Sequence, residues 1–100
     1  INTIELSGEK RRNIFLCIKE SLNNIAKHAN ATEVQISFVI GPQLVIRIAD
    51  NGVGLNPDRM REFSNGLVNM RKRMETIDGE FEIRKENGTI VILAIPLTSQ

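Results

Sequence analysis

The chain has 100 residues, 41% of them hydrophobic and 25% charged, with a formal net charge of +1. This is the size and make-up of one small globular domain, and so balanced a charge excludes an electrostatic grip on nucleic acid or on an acidic membrane surface. Four Phe with no Trp or Tyr offer little for stacking bases, and the one cysteine, Cys17, has no disulfide partner and no companions at metal-ligand spacing.

A lone cysteine suits a reducing compartment. No apolar run approaches the roughly 20 residues of a membrane span, and no signal peptide opens the chain. The abrupt start at "INTIELSGEK" and the stop just after a strand are what a single domain excised from a longer protein would show.

From Ser7 the pattern is helical. Ser7 is a capping residue, Glu9 sits in the first turn, and apolar residues recur at Ile14, Phe15, Ile18, Leu22, Ile25 and Ala29 up to a stop at Asn30. "EVQISFVI" (33–40) and "QLVIRIAD" (43–50) read as strands joined by the turn Gly41-Pro42, hence an antiparallel hairpin. Residues 52–65 read as irregular, with "DRMREF" able to form one helical turn. "GLVNMRKRMETIDG" (66–79) reads as a second helix, with Leu67, Met70, Met74 and Ile77 on one face and Gly79 as its stop. "EFEIRKE" and "TIVILAIPL" are strands linked by Asn87-Gly88, a hairpin signal. Helix, hairpin, loop, helix, hairpin predicts an α+β fold: a two-layer sandwich with the helices on one face of a mostly antiparallel sheet.

Two stretches carry chemistry. "IADNGVG" ends a buried strand in a carboxylate, Asp50, and follows it with Gly52 and Gly54. An Asn-Gly hairpin is the plain reading, but "VGLNP" neither alternates nor runs long enough to return as a strand. The alternative is a ligand site made of one acid and bare peptide groups. On the first helix, Glu20, Asn24 and Lys27 fall within about 60° of each other, nearly opposite the apolar arc, and His28 lies just beyond. A solvated face is the plain reading here. Against it, Asn23 and Asn24 sit mid-helix, where asparagine competes for backbone bonds. Glu20 and Asn24 together can hold a hydrated divalent cation. Lys27 and His28 can meet phosphate oxygens. His28 alone reads equally as a packed or surface histidine, and Thr89 as a β-branched residue opening a strand.

Set in order, these pieces resemble the ATP-binding catalytic domain of bacterial sensor histidine kinases, in the superfamily of gyrase, heat-shock chaperone, histidine kinase and mismatch-repair ATPases (the Bergerat fold). The likeness is greatest to the branch of nitrate sensors and desaturase regulators. "KESLNNIAKHA" is similar to its N box, Glu-x-x-x-Asn followed by Lys/Arg-His. "DNGVG" matches the G1 box, Asp-x-Gly-x-Gly. "NGLVNMRKRMETIDGEFEI" resembles the G2 region with Gly-Leu-x-x-Met-x-x-Arg, and "NGTIVILAIPL" the closing Gly-Thr segment. The match runs from about Arg11 to Leu97. It departs at Ser64, where a first glycine is expected, and it lacks both a Phe-rich box and a phosphoacceptor histidine; His28 belongs to the N box.

The resemblance implies roles. Asp50 would accept a hydrogen bond from the exocyclic amine of adenine, where guanine offers a carbonyl and is repelled. Thr89 would reach the same side, and Gly52 and Gly54 would let backbone approach the base and sugar. Asn24 would ligate Mg²⁺, Glu20 would assist the acceptor imidazole, and Lys27 and His28 would contact phosphates. Gly66 and Leu67 would offer free N–H groups at a helix start. Residues 56–65 would form a lid over ATP, with Arg59 and Arg61 either near phosphate or solvated, and Met60, Met70 and Met74 in the core. The implied activity is transfer of the γ-phosphoryl group to a histidine on a separate dimerisation domain, with a response regulator as an indirect partner, no nucleic acid and no direct membrane contact. The domain would be the cytoplasmic part of a sensor protein. The alternatives are an anti-sigma-factor serine kinase of the same fold and a nucleotide-binding module without turnover.

Overall fold

The computed structural model describes residues 5–52 and 60–97. Ser7 opens helix α1 (Gly8–Asn24), its hydroxyl accepting the Lys10 N–H at 3.1 Å, which satisfies one of the orphan donors of the first turn. The helix continues into a π-helical turn, Ile25–Ala29, and ends at Asn30 in the left-handed region at φ 54. Strands β1 (Val34–Ile40) and β2 (Gln43–Asp50) form the expected antiparallel hairpin. Helix α2 (Met60–Thr76) follows, then β3 (Glu80–Lys85) and β4 (Thr89–Pro96), joined through Asn87 and Gly88 at φ 50 and 127.

The sheet order is β1-β2-β4-β3, all neighbours antiparallel. The two hairpins meet through β2 and β4, which pairs Asp50 with Thr89 at one end of the central strands. Inward-facing residues alternate along both: Leu44, Ile46 and Ile48 lie opposite Ile95, Leu93 and Val91, and all six are buried under Met70, Met74 and Ile77 and under Ile14 and Cys17 of α1. The helical layer does not reach the outermost strand. Ile36 and Phe38 pair with Ile48 and Ile46, yet remain 41% and 58% exposed. No helix among the described residues is long and apolar enough to cross a membrane.

Three expectations need correction. First, α2 begins at Met60, six residues earlier than the pattern of Leu67, Met70, Met74 and Ile77 suggests. Second, the inward face of α1 is rotated from the apolar arc. Phe15 and Leu22 are exposed, at 63% and 39%, whereas Asn13, Ser21, Asn24 and His28 are buried. The cause is α2, which runs alongside and offers polar partners. Asn13 Nδ2 donates to the Arg73 carbonyl at 3.3 Å, Cys17 Sγ to the Met70 carbonyl at 3.6 Å, and Ser21 Oγ to Met70 Sδ at 3.3 Å. Third, the left-handed residue that ends the α2 region is Asp78 (φ 59), not Gly79. Gly79 donates its N–H to the Met74 carbonyl at 2.7 Å.

Candidate functional site

Where β2 ends and β4 begins, the sheet stops short of the helices and leaves a cavity. Asp50 and Thr89 line it from the sheet, Asn24 and His28 from α1 and its π-turn, and Phe63 and Leu67 from α2; Ser21, Ile25, Ala29, Ile48, Ile83 and Val91 complete the wall. Its volume is about 30 Å³, room for a water or two, against the hundreds of Å³ typical of ligand pockets. The sheet register accounts for two of these residues: Asp50 and Thr89 are a cross-strand pair and so share one face.

The end of β2 is built to stop there. Asp50 Oδ1 accepts the Gly52 N–H at 2.7 Å, turning the chain and occupying one oxygen of a carboxylate that is only 7% exposed. Asn51 Oδ1 accepts the N–H groups of Thr32 and Glu33 at 2.9 and 3.0 Å, and its Nδ2 donates to Thr32 Oγ1 at 2.9 Å. These bonds tie the exit of the first helix to the exit of β2. A hairpin at Asn51-Gly52 is therefore not what forms, since the neighbours of β2 are β1 and β4. A Cβ on Gly52 would strike the Ala29 carbonyl. This glycine leaves room for the end of the helix. Gly54 lies outside the described residues, as does the stretch 56–59 of the expected lid, with Arg59 in it.

The π-turn separates neighbours that an α-helix would keep on one stripe. Wide turns of this kind recur at functional sites. His28 turns inward, 5% exposed, while Lys27 stays out and pairs with Glu62 of α2 at 3.7 Å. Among the described residues neither ring nitrogen of His28, both of them buried, has a hydrogen-bond partner. Leaving a buried polar group unpaired costs about 1–3 kcal/mol, so the imidazole is open to a further partner. Its ring meets Phe63 edge-on, centroids 6.2 Å apart at 85°.

Asn24, His28, Asp50, Leu67 and Thr89 thus come together. Glu20, Lys27, Gly52 and Gly66 do not line the cavity. Glu20 sits in a groove between α1 and α2, with Lys19, Asn23, Asn69 and Arg73, and its carboxylate packs on Gly66, where a Cβ would come within 2.5 Å of Glu20 Oε2. Because α2 starts at Met60, Gly66 and Leu67 lie inside the helix rather than at its N-terminus, and their N–H groups are taken up by the helical ladder. The expected lid from 60 to 65 is likewise helix. Arg61 is exposed. Sequence reasoning missed Ser21 and Phe63. Phe63 precedes Leu67 by four and Met70 by seven, so the apolar stripe of α2 already contained it.

Among the described residues no group of three or more His, Cys, Asp or Glu is placed to hold a metal. The oxygen donor of Asn24, inside the cavity, suits Mg²⁺, which keeps much of its water and binds proteins through few ligands plus phosphate oxygens. The donor set fits an ion that travels with a polyphosphate.

The profile of the family described as histidine kinase-, DNA gyrase B-, and HSP90-like ATPase matches residues 9–99. The sensor histidine kinase YvfT of Bacillus subtilis is 38% identical over 85 residues, covering 84% of this chain and 22% of its own length. The sensor histidine kinase DesK of the same organism is 31% identical over 88 residues, 87% of this chain and 24% of its own. The chain therefore spans about a quarter or less of the curated relatives it matches. Among solved structures, the histidine kinase domain of a blue-light activated kinase from Erythrobacter litoralis superposes with a TM-score of 0.76 at 27% identity, over 96% of this chain and 48% of that one.

Proposed function

The chain belongs to the histidine kinase-, DNA gyrase B-, and HSP90-like ATPase family, and we propose that it binds ATP with Mg²⁺ and passes the γ-phosphoryl group to a histidine on a separate dimerisation domain. The observation that carries this reading is the shared cavity: Asp50 and Thr89 at the sheet end, Asn24 and His28 at the helix end. A purine takes the sheet end. Its exocyclic amine donates to the Asp50 carboxylate, with the Thr89 hydroxyl beside it, and the apolar surfaces of Ile25, Ile48, Ile83, Leu67 and Val91 take its faces. Guanine presents a carbonyl where Asp50 needs a donor, so ATP is preferred over GTP. The polyphosphate runs toward α1, where His28 gains the partner it lacks and Lys27 is close by at the surface.

Asn24 would hold Mg²⁺, which would neutralise charge that develops on the γ-phosphoryl group. The acceptor has to come from elsewhere, because the one histidine of the chain, His28, is 5% exposed. The imidazole nitrogen of that acceptor attacks the γ-phosphorus, the bond to the bridging oxygen breaks, and ADP leaves. Glu20, outside the base pocket in the interhelical groove, is the residue that would hydrogen-bond an imidazole presented by a docking domain. ATP as substrate assigns the domain to the cytoplasm, with a response regulator as the later recipient of the phosphoryl group.

Calorimetric titration with ATP·Mg²⁺, ADP and GTP tests the pocket: adenine nucleotides bind and GTP does not. Incubation with a histidine-bearing dimerisation domain then tests the transfer. An acid-labile phosphate on that domain is the expected product. An acid-stable phosphate on a protein serine, or binding with no transfer, would overturn the histidine kinase reading.

A further inference from the structure

The cavity that fits the chemistry of a nucleotide is too small to contain one, and one side chain stands out as the obstacle. Phe63 is 8% exposed and lines the same cavity as Asp50 and Asn24. Its neighbours Arg61, Glu62, Ser64 and Asn65 are all exposed. Among the described side chains from Arg61 to Asn65, Phe63 is therefore the one buried against the body. The Lys27–Glu62 pair, 54% exposed on both sides, adds little in water. The segment from Met60 to Asn65 is thus wound onto α2 with a ring that lines the cavity, edge-on to an imidazole that has no hydrogen-bond partner among the described residues.

We propose that Phe63 is an internal plug: it occupies the purine pocket of the ligand-free domain, and nucleotide binding expels it. The proposal rests on the nucleotide reading above and adds how that site is regulated. Expulsion removes the anchor of the first turns of α2, so occupancy of the pocket and winding of residues 60–65 exclude one another. Unwinding to Asn65 would free the N–H groups of Gly66 and Leu67 for phosphate. The role expected of them as a helix start is thereby a property of the bound state. Binding competes with plugging, so the apparent affinity is the intrinsic affinity reduced by the open fraction.

Titration of the wild-type chain and Phe63→Ala with ADP and ATP·Mg²⁺ decides it. The variant binds both about tenfold more tightly, because its pocket no longer has to be vacated. A second variant, Phe63→Trp, places the one indole of a chain that has no Trp or Tyr in the pocket. Its emission shifts to the red on saturation with ADP, as the ring passes into water. Circular dichroism establishes that both variants fold, and if Phe63→Ala does not, the indole decides alone. Wild-type binding with an unchanged or weaker affinity in Phe63→Ala overturns the plug while leaving the nucleotide reading intact. So does an indole whose emission does not respond to bound ADP. Failure of every form to bind either nucleotide overturns the nucleotide reading and the plug with it.

Discussion

The two helices have the same length, 17 residues each, and pack side by side beneath one sheet, yet their inward faces are chemical opposites. α2 turns Phe63, Met70 and Met74 inward, with Ile77 just past its end; α1 and its π-turn turn in Asn13, Ser21, Asn24 and His28 beside Ile14 and Cys17. The apolar helix supplies the burial that holds the layer down. It also supplies the carbonyls and sulfur that Asn13, Cys17 and Ser21 donate to. A polar inward face is tolerated on α1 because α2 accepts from Asn13 and Ser21, while Asn24 and His28 face the cavity. Substitutions at Met70 and Met74 should therefore act on stability, and those at Asn24, His28 and the strand ends on function.

The largest effect that would break this division is at Met74, which has no exposed surface. Met74→Ala is expected to lower stability by about 3 kcal/mol and the melting temperature by roughly 10–20 °C, measured by thermal and urea unfolding. A loss under about 1 kcal/mol would mean that α2 is not the anchoring helix.

Asp50→Ala comes next. It should weaken ADP and ATP binding at least about a hundredfold, near 3 kcal/mol, while costing less than Met74→Ala in unfolding experiments. Unchanged nucleotide affinity in calorimetry would remove Asp50 from the pocket. Asn24→Ala separates the two ends of the site: nucleotide still binds, and Mg²⁺-dependent transfer to a histidine domain disappears.

The seam between the helices has its own pH signature. Burial pushes the Cys17 thiol up from 9.0 to about 11, with Glu20 adding in the same direction and Arg73 opposing. A raised pKa means that the folded chain holds the proton longer than the unfolded one. The stabilisation is complete below pH 9 and fades as pH climbs toward 11, amounting to about 2–3 kcal/mol. Urea midpoints from pH 8 to 11 should fall more steeply for the wild type than for Cys17→Ala. Parallel curves would show that the thiol does not titrate within the core. The smallest effect belongs to Lys27→Ala. Losing the exposed pair with Glu62 should change stability by under about 0.5 kcal/mol, while ATP affinity falls and adenosine affinity does not.

Much of this layout is legible in the chain because it is local. Ser7 caps, Asn30 stops, Gly41-Pro42 turns, and the alternation in "QLVIRIAD" gives β2 its bounds. Other features were set by contacts that no window of sequence contains. Phe15 and Leu22 fit an apolar arc that would bury them, but the inward side of α1 is chosen by what Met70 and Arg73 can accept. The Asn51-Gly52 dipeptide carries a hairpin signal, and its asparagine instead bonds Thr32 and Glu33 across the molecule. Gly52 reads as room for a ligand, and the fold sets the Ala29 carbonyl against it.

The order of residue types along the chain was enough to determine the kind of fold and the residues at issue: two helices, two hairpins, an acid closing a buried strand, and a polar set on the first helix. Periodicity and turn chemistry are properties of neighbours in sequence, so they survive being read in one dimension. Joining β2 to β4, which sets Asp50 against Thr89, was decided in three dimensions. So were the turning of His28 inward, away from any hydrogen-bond partner among the described residues, and the burial of Phe63 against the cavity. Each of these depends on segments far apart in the chain competing for the same buried space.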